Sequence, residues 1–486
     1  MSLTPSEVRV VLTGAMLAMF LSALDQTIVA TALPAIAKDF GDFSLISWVV
    51  TAYLLTSTCA APIAGKLSDL YGRRRIMAIC LIGFVAGSVL CATATSMVWL
   101  IVARAFQGIG GGGLITLSQT IIGDVVAPRE RGRYQALFSA MWGSAGFLGP
   151  VLGGFLTQYW GWPWIFWINI PLGVAAFVIT DRVLRKLHIE PRKAKIDATS
   201  IGLLCLSTAA LLLFLSLGGH QFRWSDWGSL TLAALAIVLG WLFFRQQGRV
   251  PEAILPPRFW KDRVVGPMLA ANTFLPGGQL ALGVLTPIYF QVALGAPVTQ
   301  AGMAMVPILM TSMGTSILGG RYARWSGKAK LPCLIGQPIT ITLLLIVGTY
   351  ADALPLWAAS LMLAAAAGGI GPIYPTSMVA AQNAVQPRDM GAVSGAVTFA
   401  RTLGCAVAVA AASALLLGLV AAGLPDSGPI ASLEDLASRE LTPEARAVVS
   451  HSFKWLYYAM AANFAIGLAV FASAEDRVLS SKMGGG

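Results

Sequence analysis

Apolar runs of about 20 residues, each long enough for a helix to cross a hydrocarbon core, recur from end to end of this chain. They predict spans near 9–36, 44–64, 76–96, 98–122, 134–158, 164–182, 199–219, 227–245, 265–292, 300–320, 331–350, 354–380, 392–422 and 451–473. Fourteen spans, an even number, put both termini on one side of a membrane. The alternating pattern of a membrane barrel is absent. The predicted fold class is therefore an all-α polytopic membrane protein. The first run is too long for the apolar segment of a signal peptide, so it reads as a retained span.

Composition agrees. Of the 486 residues, 56% are hydrophobic and 11% charged, against about 25% charged in a soluble domain. The formal net charge of +11 invites a nucleic-acid partner, but its distribution argues otherwise. On the side away from the termini the connections hold only Lys38, Arg223, Arg439, Arg446 and Lys454. Nearly all the other Lys and Arg fall on the terminal side, which the positive-inside rule makes cytoplasmic. The charge is thus a topology signal, and no nucleic acid is expected. The expected partners are lipid, protons and a small-molecule substrate, handled by a monomer in the cytoplasmic (inner) membrane. Six cysteines lie in or beside apolar runs without a CxxC or a metal-like cluster, so they read as packing residues and no metal is expected. The connections are short. The longest, near 423–450, is acidic, with a short helix predicted from "SLEDLASREL" behind a Ser432 cap. No P-loop, H-E-x-x-H or G-x-S-x-G occurs, and His188, His220 and His451 are scattered. An enzyme, a cofactor and direct ATP drive are not expected.

"AGKLSDLYGRRRIM" at 64–77 and "GGRYARWSGKAKLP" at 319–332 repeat one pattern, Gly65, Gly72 and Arg73 matching Gly320, Gly327 and Lys328. With the pair of spans at 199–245 set aside as an insertion, two six-helix halves remain. The expected divisions are 1–185, an inserted pair with its linkers at 186–260, and 261–486. The pair carries no buried charge and reads as peripheral, facing lipid. In the first repeat, read as a connecting loop, Gly65 and Gly72 permit close approach and a tight turn. Asp69 suits a helix N-terminus, and Arg73 can pair with Asp124 at the end of another span.

Two charges lie at membrane depth, where charge is costly and functional. Asp25, in "LDQTIVATALP", is the only carboxylate placed well inside a span, and is expected to exchange a proton near neutral pH. Arg104 opens "RAFQGIGGGG". Gly108, Gly110 and Gly113 satisfy G-x-G-x-x-G, but inside a span, with no preceding strand, they read as helix packing and not as a nucleotide site. Gly146, Gly149, Gly153 and Gly154 recur at helical spacing around Pro150, giving a smooth, bent helix face. Arg401 lies behind Gly391, Ser394 and Gly395.

These motifs resemble the major facilitator superfamily, in its fourteen-span drug:proton antiporter class. "GKLSDLYGRRR" is similar to the family signature between helices 2 and 3. The resemblance implies that Gly65, Asp69, Gly72 and Arg73, with Asp124, form a latch on one alternating state. "RAFQG" is similar to the helix-4 signature and "LDQTIVATALP" to that of helix 1, which implies proton coupling at Arg104 and Asp25. The run at 143–173, ending in "WPWIFWINIP", resembles the antiporter signature of exporters. The implied function is proton-coupled efflux of hydrophobic or cationic compounds by alternating access within one chain. Uptake of a vitamin or other nutrient on the same fold is the alternative, and a non-transporting membrane sensor a further one. Helices 1 and 4 are expected to line a central cavity, with Gln107, Trp142, Asn272, Gln279, Tyr289, Gln291 and Arg401 as its polar or aromatic side chains.

Overall fold

The structure, a computed structural model, describes residues 4–43, 45–185, 197–218, 224, 226–424, 433, 436 and 442–477. His188, His220 and the Ser432 cap lie outside them. Fourteen helices are long and apolar enough to cross a membrane: α1 Ser6–Phe40, α2 Ile46–Tyr71, α3 Arg73–Ala92, α4 Met97–Val125, α5 Pro128–Tyr159, α6 Trp164–Arg182, α7 Ala198–Leu217, α8 Trp227–Gln247, α9 Val265–Ala293, α10 Val298–Ser326, α11 Leu331–Thr349, α12 Leu356–Asn383, α13 Pro387–Gly423 and α14 Pro443–Ser473. Among the described residues there is no strand. Polar side chains close the exposed helix starts. Thr4 and Glu7 form a reciprocal cap on α1, and Ser96, Asp197 and Thr442 accept the first free N–H groups of α4, α7 and α14.

The connection expected across "GKLSDLYGRRR" is not a loop. Helix α2 continues to Tyr71, α3 starts at Arg73, and Gly72 alone turns the chain at φ 91°. The helix persists because Gly65, Lys66, Ser68, Asp69 and Leu70 are all buried against neighbours. Gly327, the matching glycine of the repeat, ends α10 at φ 70°.

Helices α1–α6 pack around their own apolar clusters, and α9–α14 around another. The two sets meet along α2 against α13 and α5 against α10. On the terminal side these seams close without side chains between them. A Cβ at Gly65 would lie 2.2 Å from the Gly391 carbonyl oxygen, and one at Gly320 would lie 2.3 Å from that of Gly132. The repeat thus places a backbone-to-backbone contact on each seam, the approach that small residues allow.

Toward the other side the sets part around a cavity of about 1860 Å³. Its rim includes the far ends of α7 and α13, with Gly218, Trp224, Asp226, Leu417 and Ala421. The molecule is therefore open away from its termini and shut beside them. The inserted pair departs from expectation. Much of α8 is exposed, but α7 rests on both α2 and α13, and its far end walls the cavity. On the terminal side Lys66 Nζ meets Glu252 at 2.6 Å and Arg258 meets Asp389 at 2.7 Å, tying the linker after α8 to both sets.

Gly65→Leu should open the terminal side. Overpacking of this kind costs roughly 1–3 kcal/mol, enough to invert a balance between two states. Spin labels at the exposed positions Arg133 and Lys328 report it by electron–electron distance measurement. The expected result is a population at longer separation that the Gly320→Leu variant reproduces.

Candidate functional site

Asp25 and Arg104 are 0% and 1% exposed. The Asp25 Oδ2 atom accepts from Arg104 Nη1 at 2.5 Å. Its Oδ1 atom accepts from Gln107 Nε2 at 2.9 Å and from Asn169 Nδ2 at 2.8 Å. Both amides also donate to Ser88 Oγ, at 2.8 and 3.2 Å. Arg104 and Gln107 stand one turn apart on the same face of α4, and Gln107 Oε1 accepts a second bond from Arg104 Nη1 at 2.7 Å. The guanidinium lies 4.2 Å from the Tyr53 ring centroid, and Arg104 Nε donates to the Val49 carbonyl at 3.4 Å. One carboxylate therefore joins α1, α4 and α6 through charge-assisted bonds, with α3 tied in by Ser88 through the two amides and α2 against the cation.

This network points into the first helix set, away from the cavity. Helices α1 and α4 do line the cavity, but through Gln26, Thr27, Gly112 and Ile115 and not through the two charges. The reason is helical geometry, since neighbours in sequence diverge by about 100° around the axis. Gln107 belongs to the same buried network. Asn169 and Ser88 were not singled out from the sequence. Asn169 stands in "WINIP", where an amide inside an apolar span is itself a signal. Ser88 carries none, because a serine in a span bonds its own helix as readily as a neighbour.

The latch residues come together at the terminal end of α2. Arg73 pairs with Asp69 at 2.5 Å and with Asp124 at 2.7 Å. Asp69 also accepts the backbone N–H groups of Gly391 and Ala392, at 2.9 and 2.7 Å. Its carboxylate thus faces the N-terminus of the other set's α13, where the helix dipole favours negative charge. The second seam uses the opposite sign. Arg129 donates to the carbonyls of Arg324 and Trp325 at the end of α10, at 2.7 and 2.8 Å, and Arg324 meets Glu130 at 2.6 Å.

Of the glycines around Pro150, two pack on α1. Gly149 and Gly153 would place a Cβ 2.1 Å from Thr27 Oγ1 and 2.2 Å from Thr31 Oγ1, and Thr27 donates to the Ala145 carbonyl at 2.8 Å. Gly146 and Gly154 meet nothing within 4 Å, so they do not share that face; Gly146 lines the cavity. In α4, Gly108 approaches the Tyr53 backbone of α2, and Gly110 that of Cys80 and Phe84 in α3, consistent with helix packing.

Trp142, Gln279 and Arg401 line the cavity. Asn272, Tyr289 and Gln291 do not. Asn272 is turned into α12, where it accepts from Ser377 at 3.2 Å and donates to the Met268 carbonyl. The Tyr289 hydroxyl donates to the Ala351 carbonyl at 2.9 Å, with its ring packed on Phe453 and Tyr457. Gln291 sits in the same π-helical turn, half-buried and outside the cavity. Tyr374, Ser312 and Met313 line the cavity but were not foreseen.

A family model described as Major Facilitator Superfamily matches residues 15–409. "Multidrug transporter protein MdtP" of Bacillus subtilis is 34% identical over 400 residues, 82% of this chain and 73% of that protein. "Multidrug resistance protein 3" of the same organism is 33% identical over 405 residues, 82% of this chain and 78% of that one. The chain spans 61% of the length of longer matching relatives from Mycobacterium tuberculosis. The crystal structure of the human organic anion transporter MFSD10 superposes with a TM-score of 0.63 at 17% identity, over 96% of this chain and 100% of that one.

Arg104→Leu should destabilise the protein by about 3–5 kcal/mol, because it strands a buried carboxylate. Adding Asp25→Leu should restore most of the loss, and a double-mutant cycle of thermal or denaturant unfolding reads the coupling directly.

Proposed function

The chain belongs to the major facilitator superfamily, and from that premise we propose that it exports lipophilic small molecules by alternating access, driven by proton entry at Asp25. The single observation that carries this reading is the sealed Asp25–Arg104 network beside a large, mostly apolar cavity. The relatives named as multidrug proteins support the direction and the breadth of substrate. Helices up to residue 185 and those from 261 onward act as the rocking halves, within a single chain. The bias of Lys and Arg supports a cytoplasmic terminal side, so the cavity here faces the exterior.

Asp25 does not meet the substrate in this reading. Its ionised carboxylate holds Arg104, Gln107 and Asn169 around it. A proton on Asp25 cancels one charge of a desolvated pair and leaves the guanidinium uncompensated, a penalty of about 3–5 kcal/mol by comparison with broken buried pairs. The helices can relieve it by moving. The movement reaches the cavity along α1, because Gln26 and Thr27 follow directly and Thr27 grips α5 at Ala145. Each proton moving inward through about 100 mV contributes about 2.3 kcal/mol. The Asp69 and Arg129 contacts hold the terminal side shut until that contribution is made.

In proteoliposomes, Asp25→Asn should lower export of a lipophilic dye driven by a pH gradient at least tenfold. Exchange of the same dye without a gradient should persist, since the cavity is intact. Undiminished gradient-driven export by the variant overturns the coupling role of Asp25.

A further inference from the structure

We infer that the cavity is built for amphipathic organic anions, with Arg401 as the anchor for their charged group. This rests on reading the cavity as the substrate path. Among the described residues that line the cavity, only Arg401 and Asp226 carry charge. Asp226 stands at the rim, at the start of α8. Arg401 lies eleven residues into the helix that begins at Met390, about 16 Å along its axis at 1.5 Å per residue, and so deep in the cavity.

Arg401 has no ion pair among the described residues. Its guanidinium stacks on rings instead, 4.4 Å from the Tyr374 centroid and 5.8 Å from that of Trp142. Both rings carry a polar atom with no hydrogen-bond partner among the described residues, Tyr374 Oη and Trp142 Nε1. Three side chains able to donate hydrogen bonds therefore adjoin one another in the cavity wall. A guanidinium stays protonated throughout the physiological range and presents a planar fork to carboxylate or sulfonate. Arg401 already covers a face of each of these two rings, and a second cation there meets like charge with no carboxylate among the described residues beside it to offset it. The remaining wall, with Phe147, Met305, Met310, Met313 and Leu363, suits an apolar body and adapts to its shape. The cationic substrates considered from sequence alone are therefore disfavoured.

The test uses three naphthylpropyl probes that differ only in headgroup: sulfonate, alcohol and trimethylammonium. Equilibrium dialysis against the full chain in nanodiscs, with empty nanodiscs subtracted, gives binding. Exchange across proteoliposomes gives transport. The sulfonate should bind at least tenfold tighter than the ammonium, and Arg401→Gln should abolish that preference while Arg401→Lys keeps part of it. Preference for the ammonium by the unmodified protein overturns the inference without any variant. So does an Arg401→Gln protein, folded by size-exclusion chromatography, with the ranking unchanged. Sulfonate binding that never leads to exchange retains the anion site and removes the transporter reading instead.

Discussion

The Asp25–Arg104 pair governs the organisation of the first helix set. Two opposite charges taken wholly out of water are tolerable only when the geometry is good and the remaining lone pairs are met. Gln107, Asn169 and Ser88 meet them. The consequence is architectural, since α1, α3, α4 and α6 must each present a small or polar residue at one depth. The glycines of α4 then let α2 and α3 approach closely enough for Tyr53 and Ser88 to reach the site. Packing and electrostatics are here two descriptions of one requirement.

The second helix set answers with a different economy. Its contact with the first is made where the terminal ends converge, by backbone against backbone at paired glycines and by charges aimed at helix ends. Asp69 faces an N-terminus and Arg129 a C-terminus, so each seam uses the dipole of the opposite set. Such contacts fall off within a turn of helix. Closure is therefore short-ranged, and a modest rotation breaks both seams together.

Much of this was legible in the chain. The fourteen spans follow from apolar run length, and the pairing of Arg73 with Asp124 from their places at span ends on one side. Asp25 and Arg104 stood out because they lie at membrane depth, where charge is costly. Which way a side chain faces was harder. Asn272 and Tyr289 are polar or aromatic within a span, as Gln279 is, yet only Gln279 reaches the cavity, because rotation about a helix axis depends on neighbours far away in sequence. Helix 1 was expected on the cavity and is there, but it turns Asp25 inward. Trp142 and Tyr374 belong to different sets, and no local pattern joins them. The helical run through Asp69 was obscured by its charges, which usually mark a connection. Burial against α13 overrides that.

The inserted pair raises a geometric point of its own. Helix α7 touches α2 on one side and α13 on the other, and the chain after α8 is tied by Glu252 to the first set and by Arg258 to the second. A rigid body fastened to two plates cannot follow both when they turn relative to each other. In the proposed rocking of the halves, one of these contacts has to slip. The pair is then a gasket as well as an addition: it covers the seam between α2 and α13, while among the described residues the seam between α5 and α10 has no such cover.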